Sequence, residues 1–191
     1  MDEPRRFVVV GLGNPGPRYQ GTRHNAGFLL VDRLAAAWKA ETLDDDPTYI
    51  AARARVDGAT VHLLKPMTYM NRSGIALSRF AASREAAPEE HLVVLDDVSL
   101  PFGSIRFRKR GSDGGQKGLR SVLDTLGSSE VPRLRLGVGD GEPGRDLAEY
   151  VLEPFSSEEE KELDTWLGRA VDGVEVFLRE GADAAMNRFN R

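Results

Sequence analysis

The apolar run Phe7-Val8-Val9-Val10 stops at Gly11-Leu-Gly-Asn-Pro-Gly16, and a helical pattern takes over from about residue 25. A short buried strand, a glycine–proline turn and then a helix are how an α/β protein begins, with its chemistry in the loop outside the carboxyl end of the strand. Gly11, Gly13 and Gly16 also spell G-x-G-x-x-G, so a dinucleotide site has to be weighed first. In that fold the helix starts inside the glycine fingerprint and turns its positive end to a pyrophosphate. Here Pro15 and Pro17 flank the third glycine and postpone the helix to about residue 24. The acid expected about 20 residues on should close a second strand, yet Asp32 falls inside the helix. The glycines therefore read as a rigid turn that presents side chains at a sheet edge.

Phe28, Val31, Leu34, Ala35 and Trp38 recur at helical spacing and predict an amphipathic helix over 25–40. Asp44-Asp-Asp-Pro47 reads as a loop. Strands over about 48–56 and 60–65 are joined by Asp57-Gly58, a strong hairpin signal. A loop carrying Met67-Thr-Tyr-Met-Asn71 leads into a helix through Ile75, Leu77 and Phe80. His91-Leu-Val-Val-Leu95 reads as another buried strand, ending in Asp96-Asp97, and 104–109 alternates apolar and basic residues as a strand with one wet face does. After a turn at 111–115 come a helix over 116–126, a strand over 134–138 and an irregular loop at 139–144. A long helix over 157–180, capped by Ser156 or Ser157 and opening with glutamates, and a short helix over 182–189 close the chain. Strands interleaved with helices, with one hairpin among them, predict one three-layer α/β domain over residues 1–191. Its sheet is expected to be twisted, mixed and mostly parallel, with helices on both faces.

A chain of 191 residues with 40% hydrophobic and 29% charged residues has the make-up of a soluble globular protein, which sets aside disorder and fibres. No apolar run approaches the roughly 20 residues that cross a bilayer, and the start Met1-Asp-Glu-Pro lacks the pattern of a signal peptide, so a cytoplasmic protein without membrane attachment is expected. The absence of cysteine removes disulfides, thiolate zinc sites and cysteine nucleophiles. A net charge of −4 hides a segregated pattern. Residues 101–135 hold eight basic side chains against three acidic ones, while 140–164 hold ten acids against two bases. One face can therefore attract a polyanion while the molecule stays acidic.

Of the three histidines, His62 lies inside a strand and His91 begins one, which gives both a structural reading. His24 instead stands at the mouth of the first helix after the glycine turn, where a neutral imidazole is accessible and can accept a proton. Helix capping is the competing reading of the same position. A base needs an orienting carboxylate, and Asp96, at the end of an apolar strand, would emerge at the same sheet edge. Spacing alone does not separate it from Asp97. Without a G-x-S-x-G elbow, paired histidines or a metal-ligand cluster, attack by an activated water remains. Asn14 and Asn71 lie in loops beside strand ends and offer amides to a carbonyl or a ribose, or serve simply as turn residues.

Several blocks, taken together and in order, are specific. Gly11-Leu-Gly-Asn-Pro-Gly16 with Thr22-Arg-His-Asn-Ala-Gly27, Lys65-Pro66 with Tyr69-Met-Asn-Arg-Ser-Gly74, Asp96-Asp-Val-Ser-Leu-Pro101 and Arg133-Leu-Arg-Leu-Gly-Val-Gly139 resemble the bacterial peptidyl-tRNA hydrolase family. The terminal Asn187-Arg188-Phe189 extends the resemblance over essentially the whole chain. It implies hydrolysis of the ester between a peptide and the 3′ ribose of tRNA, by a monomer, with no metal or cofactor. It also implies His24 as the base, Asp96 as its stabiliser, and Asn14 as the contact that helps reject unblocked aminoacyl-tRNA. Tyr19, Tyr69 and Asn71 would line the groove for the terminal nucleotide and peptide, and the basic segment 106–120, with Arg108 and Lys117, would hold tRNA phosphates. Two departures stand out: Gly115-Gln-Lys-Gly118 where many members read Gly-His-Asn-Gly, and Ser99 where an acid is frequent. A noncatalytic RNA-binding protein on the same scaffold is the alternative, and it would need the basic surface without the base and its carboxylate.

Overall fold

The computed structural model describes residues 5–43 and 46–190. Met1–Pro4 therefore lie outside the described residues, as do Asp44 and Asp45 of the loop expected at 44–47. In chain order the elements are β1 (Arg6–Gly11), α1 (Ala26–Ala37), β2 (Glu41–Thr42), β3 (Tyr49–Val56), β4 (Ala59–Pro66), α2 (Ser73–Arg79) and α3 (Ala81–Glu85). They continue with β5 (His91–Asp97), β6 (Ile105–Arg108), α4 (Lys117–Leu126), β7 (Arg133–Gly137), α5 (Leu147–Tyr150), α6 (Ser157–Glu180) and α7 (Ala182–Phe189). The seven strands form one sheet in the order β2-β3-β4-β1-β5-β7-β6. β4, β1, β5 and β7 pair in parallel at its centre, and antiparallel pairings bring in β3, β2 and β6 at the two sides. Five of the seven strands thus run one way, as a mostly parallel sheet requires, although the six pairings divide evenly.

The unbroken apolar run of β1 follows from its central place. Val8 and Val10 pack into one hydrophobic cluster with Leu77, Leu119 and Val122 of α2 and α4, while Val9 packs into another with Leu30, Leu34, Trp166, Val174 and Phe177 of α1 and α6. Helices on both faces mean that neither side of the strand meets water, so polar alternation is absent. Each fully buried Val or Leu contributes about 1.5–3 kcal/mol. The hairpin at Asp57-Gly58 forms as the sequence indicates, with φ of 47° and 81° at its two turn residues.

Four segments differ from the sequence reading. The helix expected through Phe80 breaks there, because an extended backbone (ψ 115°) turns the Phe80 ring inward against Tyr49 and His62, with centroids 5.2 and 5.7 Å away. The first helix is shorter than 25–40 and is preceded by a 3-10 turn over Arg23–Asn25. β2 and α5 carry no periodic signal, being two and four residues long, and only pairing to β3 and packing near β7 define them.

The two other histidines are structural. Ala87 O can only accept, so His91 Nδ1 donates to it at 2.9 Å and Nε2 accepts from Ser83 Oγ at 2.8 Å, inside the core. Burial holds both His91 and His62 below the ordinary imidazole pKa, which favours the neutral form of each.

The site is set by where α1 starts. β1 and β5 end side by side, with Leu12 N–H donating to Val94 O at 2.9 Å, and α1 begins directly on top of them. A Cβ on Gly27 would lie 2.5 Å from Leu12 N and 2.6 Å from Val94 O, and one on Gly11 would lie 2.3 Å from Gly27 O. Those glycines are needed for backbone-to-backbone contact. Gly27→Ala is expected to lower stability by about 1–3 kcal/mol through overpacking, read as a reduced urea midpoint, whereas a midpoint equal to that of the parent chain would show that the contact is not tight.

Candidate active site

His24 occupies the 3-10 turn between the glycine loop and α1, and its main chain is fixed before its side chain is considered. His24 N–H donates to Val151 O at 2.7 Å and Arg23 N–H to Glu153 O at 3.1 Å, which ties the turn to α5 and the residues just after it. The buried Arg23 guanidinium strengthens that tie. It pairs with Glu159 at 2.7 Å, donates to Tyr150 O at 3.2 Å and lies 4.1 Å above the Tyr150 ring. Glu159 also closes the capping box with Ser156 at the start of α6. Burial would raise its pKa, but the bonds from Arg23 and Ser156 outweigh burial and hold it below the usual carboxylate range.

The His24 side chain meets Asp96 at the end of β5: Nδ1 and Asp96 Oδ2 are 2.9 Å apart. An ionised carboxylate only accepts, so Nδ1 carries the proton and Nε2 is left with a free lone pair. Asp97, the other candidate by spacing, is committed elsewhere. Its Oδ2 pairs with Arg135, and its Oδ1 accepts from Ser99 N at 2.8 Å and Ser99 Oγ at 2.6 Å. Alternation along β5 accounts for the difference, since successive strand residues face opposite ways. Ser99 is thus part of the Asp97–Arg135 network.

Asn14 is held on both sides. Its N–H donates to Asn25 Oδ1 at 2.8 Å and its carbonyl accepts from Asn25 Nδ2 at 2.9 Å. Its Oδ1 accepts from Met70 N–H at 2.8 Å, so the side-chain amide is fixed and Nδ2 is the group left to a ligand. Met70 also receives Gln116 Nε2 on its sulfur at 3.3 Å, while Gln116 Oε1 caps α4 through Leu119 N at 2.7 Å. Tyr69, just before Met70, has φ 64° and an exposed ring that stands edge-on to Tyr19 at 6.4 Å.

These residues share one cleft of about 930 Å³. Asn14, Tyr19, His24, Tyr69, Asn71, Asp96, Arg108 and Lys117 all line it, together with Leu147, Val151 and Leu152 from the α5 region. Among the described residues, the other cations of the lining are occupied. Arg110 pairs with Glu130 at 3.3 Å, Arg135 with Asp97, and buried Arg133 spends its guanidinium on the carbonyls of Gly111, Ser112, Ser129 and Val131. Burial pushes Arg133 below the ordinary arginine pKa, with Arg135 adding to the effect. Among the described residues Arg108 and Lys117 have no ion-pair partner, and both are exposed. The sequence reading passed over Arg23, Asn25, Met70, Arg133 and Arg135 as members of the site. An arginine at every second place of the apolar segment Arg133-Leu-Arg135 was the available signal, and the others act through main-chain bonds that leave no pattern. Among the described residues no group of three or more metal-binding side chains is arranged to hold an ion, and no helix is long and apolar enough to cross a membrane.

The chain matches the family described as peptidyl-tRNA hydrolase over residues 8–191. It is 46% identical over 186 residues to the peptidyl-tRNA hydrolase of Thermotoga petrophila, covering 96% of this chain and 97% of that protein. The corresponding protein of Syntrophotalea carbinolica is 44% identical over 183 residues, covering 96% of each. Among solved structures, peptidyl-tRNA hydrolase from Acinetobacter baumannii superposes with a TM-score of 0.87 at 36% identity, covering 100% of this chain and 97% of that one.

The buried arginine gives this cleft a mechanical test that needs no substrate. Arg133→Met removes a donor from each of four carbonyls and is expected to cost about 2 kcal/mol or more, with faster amide exchange concentrated at 111–112 and 129–131. Exchange unchanged in those segments would mean that the guanidinium does not hold them.

Proposed function

Because the chain belongs to the peptidyl-tRNA hydrolase family, we propose that it hydrolyses the ester joining a peptide's carboxyl end to the 3′ ribose of tRNA, returning tRNA from abandoned translation to use. The observation that carries the mechanism is the 2.9 Å hydrogen bond from His24 Nδ1 to Asp96 in the wall of a large cleft. With that bond made, Nε2 takes a proton from water as the water attacks the ester carbonyl. Asp96 fixes the tautomer and stabilises the imidazolium that forms, which then gives its proton to the ribose 3′ oxygen as the ester C–O bond breaks, leaving a free hydroxyl. An ester with a sugar leaving group needs a positioned base more than a covalent intermediate, so no metal or cofactor enters the reading.

Asn14 supplies the selection between blocked and free substrates. Its Oδ1 is held by Met70 N–H, so it presents only the two N–H bonds of Nδ2. A blocked substrate offers amide carbonyl oxygens, which accept. A free α-ammonium offers donors alone and meets a donor, which leaves both unpaired. Tyr19, Tyr69 and Asn71 flank the place of the terminal nucleotide and the first peptide residues, and the two unpaired cations Arg108 and Lys117 attract phosphates. In this reading residues 1–191 act as one domain, as a cytoplasmic monomer.

An N-blocked aminoacyl-tRNA and its unblocked counterpart, given to the parent chain and to His24→Ala, test the proposal. Rapid cleavage of the blocked substrate alone is expected, with a loss of about 10²-fold or more in the variant. Undiminished turnover by His24→Ala would overturn the mechanism, and RNA binding with no turnover by the parent chain would favour the noncatalytic alternative. Arg108→Ala and Lys117→Ala are each expected to weaken binding most at low salt and to flatten the salt dependence by about one phosphate contact, a log–log slope change of roughly 0.7–0.9. A slope equal to the parent's would remove those two residues from the tRNA surface.

A further inference from the structure

The glycine loop carries a second arginine besides the buried Arg23, the exposed Arg18. Gly16 and Gly21 have φ of 102° and 76°, and the turn between them leaves Arg18 exposed beside a half-buried Tyr19. Tyr19 is fixed: its N–H donates to Gly16 O at 3.1 Å, and its carbonyl accepts from Thr22 N at 3.1 Å and Thr22 Oγ1 at 2.7 Å. The Arg18 guanidinium lies over the Tyr19 ring, 5.6 Å from its centroid. Among the described residues Arg18 has no carboxylate within ion-pair distance, although the chain has more acids than bases. Among the described residues the Arg18 side chain makes no hydrogen bond, so its planar fork of N–H donors stays open, and that fork matches the oxygens of a phosphate.

The neighbour on the other side points the same way. Tyr69 stands edge-on to Tyr19, is 55% exposed, and holds a left-handed backbone that a non-glycine residue keeps only where its surroundings fix it. Arg18, Tyr19 and Tyr69 therefore form a row of cation, aromatic and aromatic that runs from outside the cleft to its lining. Neither tyrosine hydroxyl is engaged by another described residue. The exposed Tyr69 ring, with half-buried Tyr19 and an arginine beside it, suits an unpaired strand, whose bases have free faces to stack, and not a duplex, whose bases are already stacked.

We propose that Arg18 is a further substrate-binding residue: lying over Tyr19, it pairs with a phosphate of the single-stranded acceptor end as that strand passes Tyr69 into the cleft. The proposal rests on the reading of the chain as a hydrolase of tRNA esters. It adds a phosphate seat on the glycine-loop side, away from Arg108 and Lys117, so that the strand is held from two sides.

Steady-state cleavage of an N-blocked aminoacyl-tRNA and of the same acyl group on adenosine, which has no phosphate, separates the possibilities. For Arg18→Ala, KM on the tRNA is expected to rise about 3- to 10-fold with kcat within about twofold, and the loss on the adenosine ester is expected to be smaller than twofold. Arg18→Lys, which restores charge without the fork, should recover part of the KM. Arg84→Ala, which removes an equally exposed charge on α3, should not move it. Binding of uncharged acceptor-end RNA, followed by fluorescence anisotropy, should lose about 0.7 of its log–log salt slope in Arg18→Ala. Equal KM values for Arg18→Ala and the parent chain, or equal losses on both esters, would overturn the proposal. A parent chain that cleaves neither ester would instead overturn the functional reading on which it rests, and an unaltered RNA salt slope would then dispose of the phosphate contact as well.

Discussion

At the start of α1 the backbone lies directly on the ends of β1 and β5, and no side chain fits between them: a Cβ on Gly27 would come within 2.6 Å of both Leu12 O and Val94 O. Everything about the cleft depends on that approach. It places the 3-10 turn carrying His24 over the carboxyl end of β5, where Asp96 is the last inward side chain, and the 2.9 Å bond between them follows. The same turn is tied from behind by Val151, Glu153 and the Arg23–Glu159 pair, so the histidine is held by three separate segments of the chain. Preorganisation of this kind suits a reaction in which a base and a water must meet an ester in one geometry.

Charge is handled by commitment. Five cations line the cleft, but Arg110 and Arg135 are paired with acids and Arg133 is buried on backbone carbonyls, which leaves Arg108 and Lys117 available. A net charge of −4 is therefore compatible with a locally attractive surface for a polyanion. Lys117, as the first residue of α4, presents its charge next to Gln116, which caps that helix. An ammonium donates and never accepts, so what Lys117 offers at this position is hydrogen-bond donors alone.

How much of this was legible in the sequence depended on whether a residue acts through its own side-chain chemistry or through main-chain contacts. His24, Asp96 and Asn14 could be named because a strand end or a helix mouth places a polar group at the sheet edge whatever the rest of the chain does. Spacing favoured Asp96 without excluding Asp97, since neighbouring strand residues differ in the face they point to and the register is set by pairing with β7. Arg23 and Asn25 sat within the recognised motif, yet their partners, Glu159 and Asn14, are 136 and 11 residues away along the chain. Phe80 read as helix because its spacing was right, and packing against Tyr49 and His62 overrode that spacing.

The sequence by itself determined the alternation of strand and helix, the central strand with both faces covered, the exclusion of a dinucleotide loop and the residues that end up around one cleft. These are local matters: periodicity, proline geometry and the position of polar groups at element ends act within a few residues. The tertiary structure alone decided which aspartate meets His24, which amide atom of Asn14 is free, which cations are spent on other partners, and how Arg18, Tyr19 and Tyr69 line up. Each of those depends on hydrogen bonds or packing between segments far apart in the chain, and such contacts exist only once the sheet has brought its strand ends together.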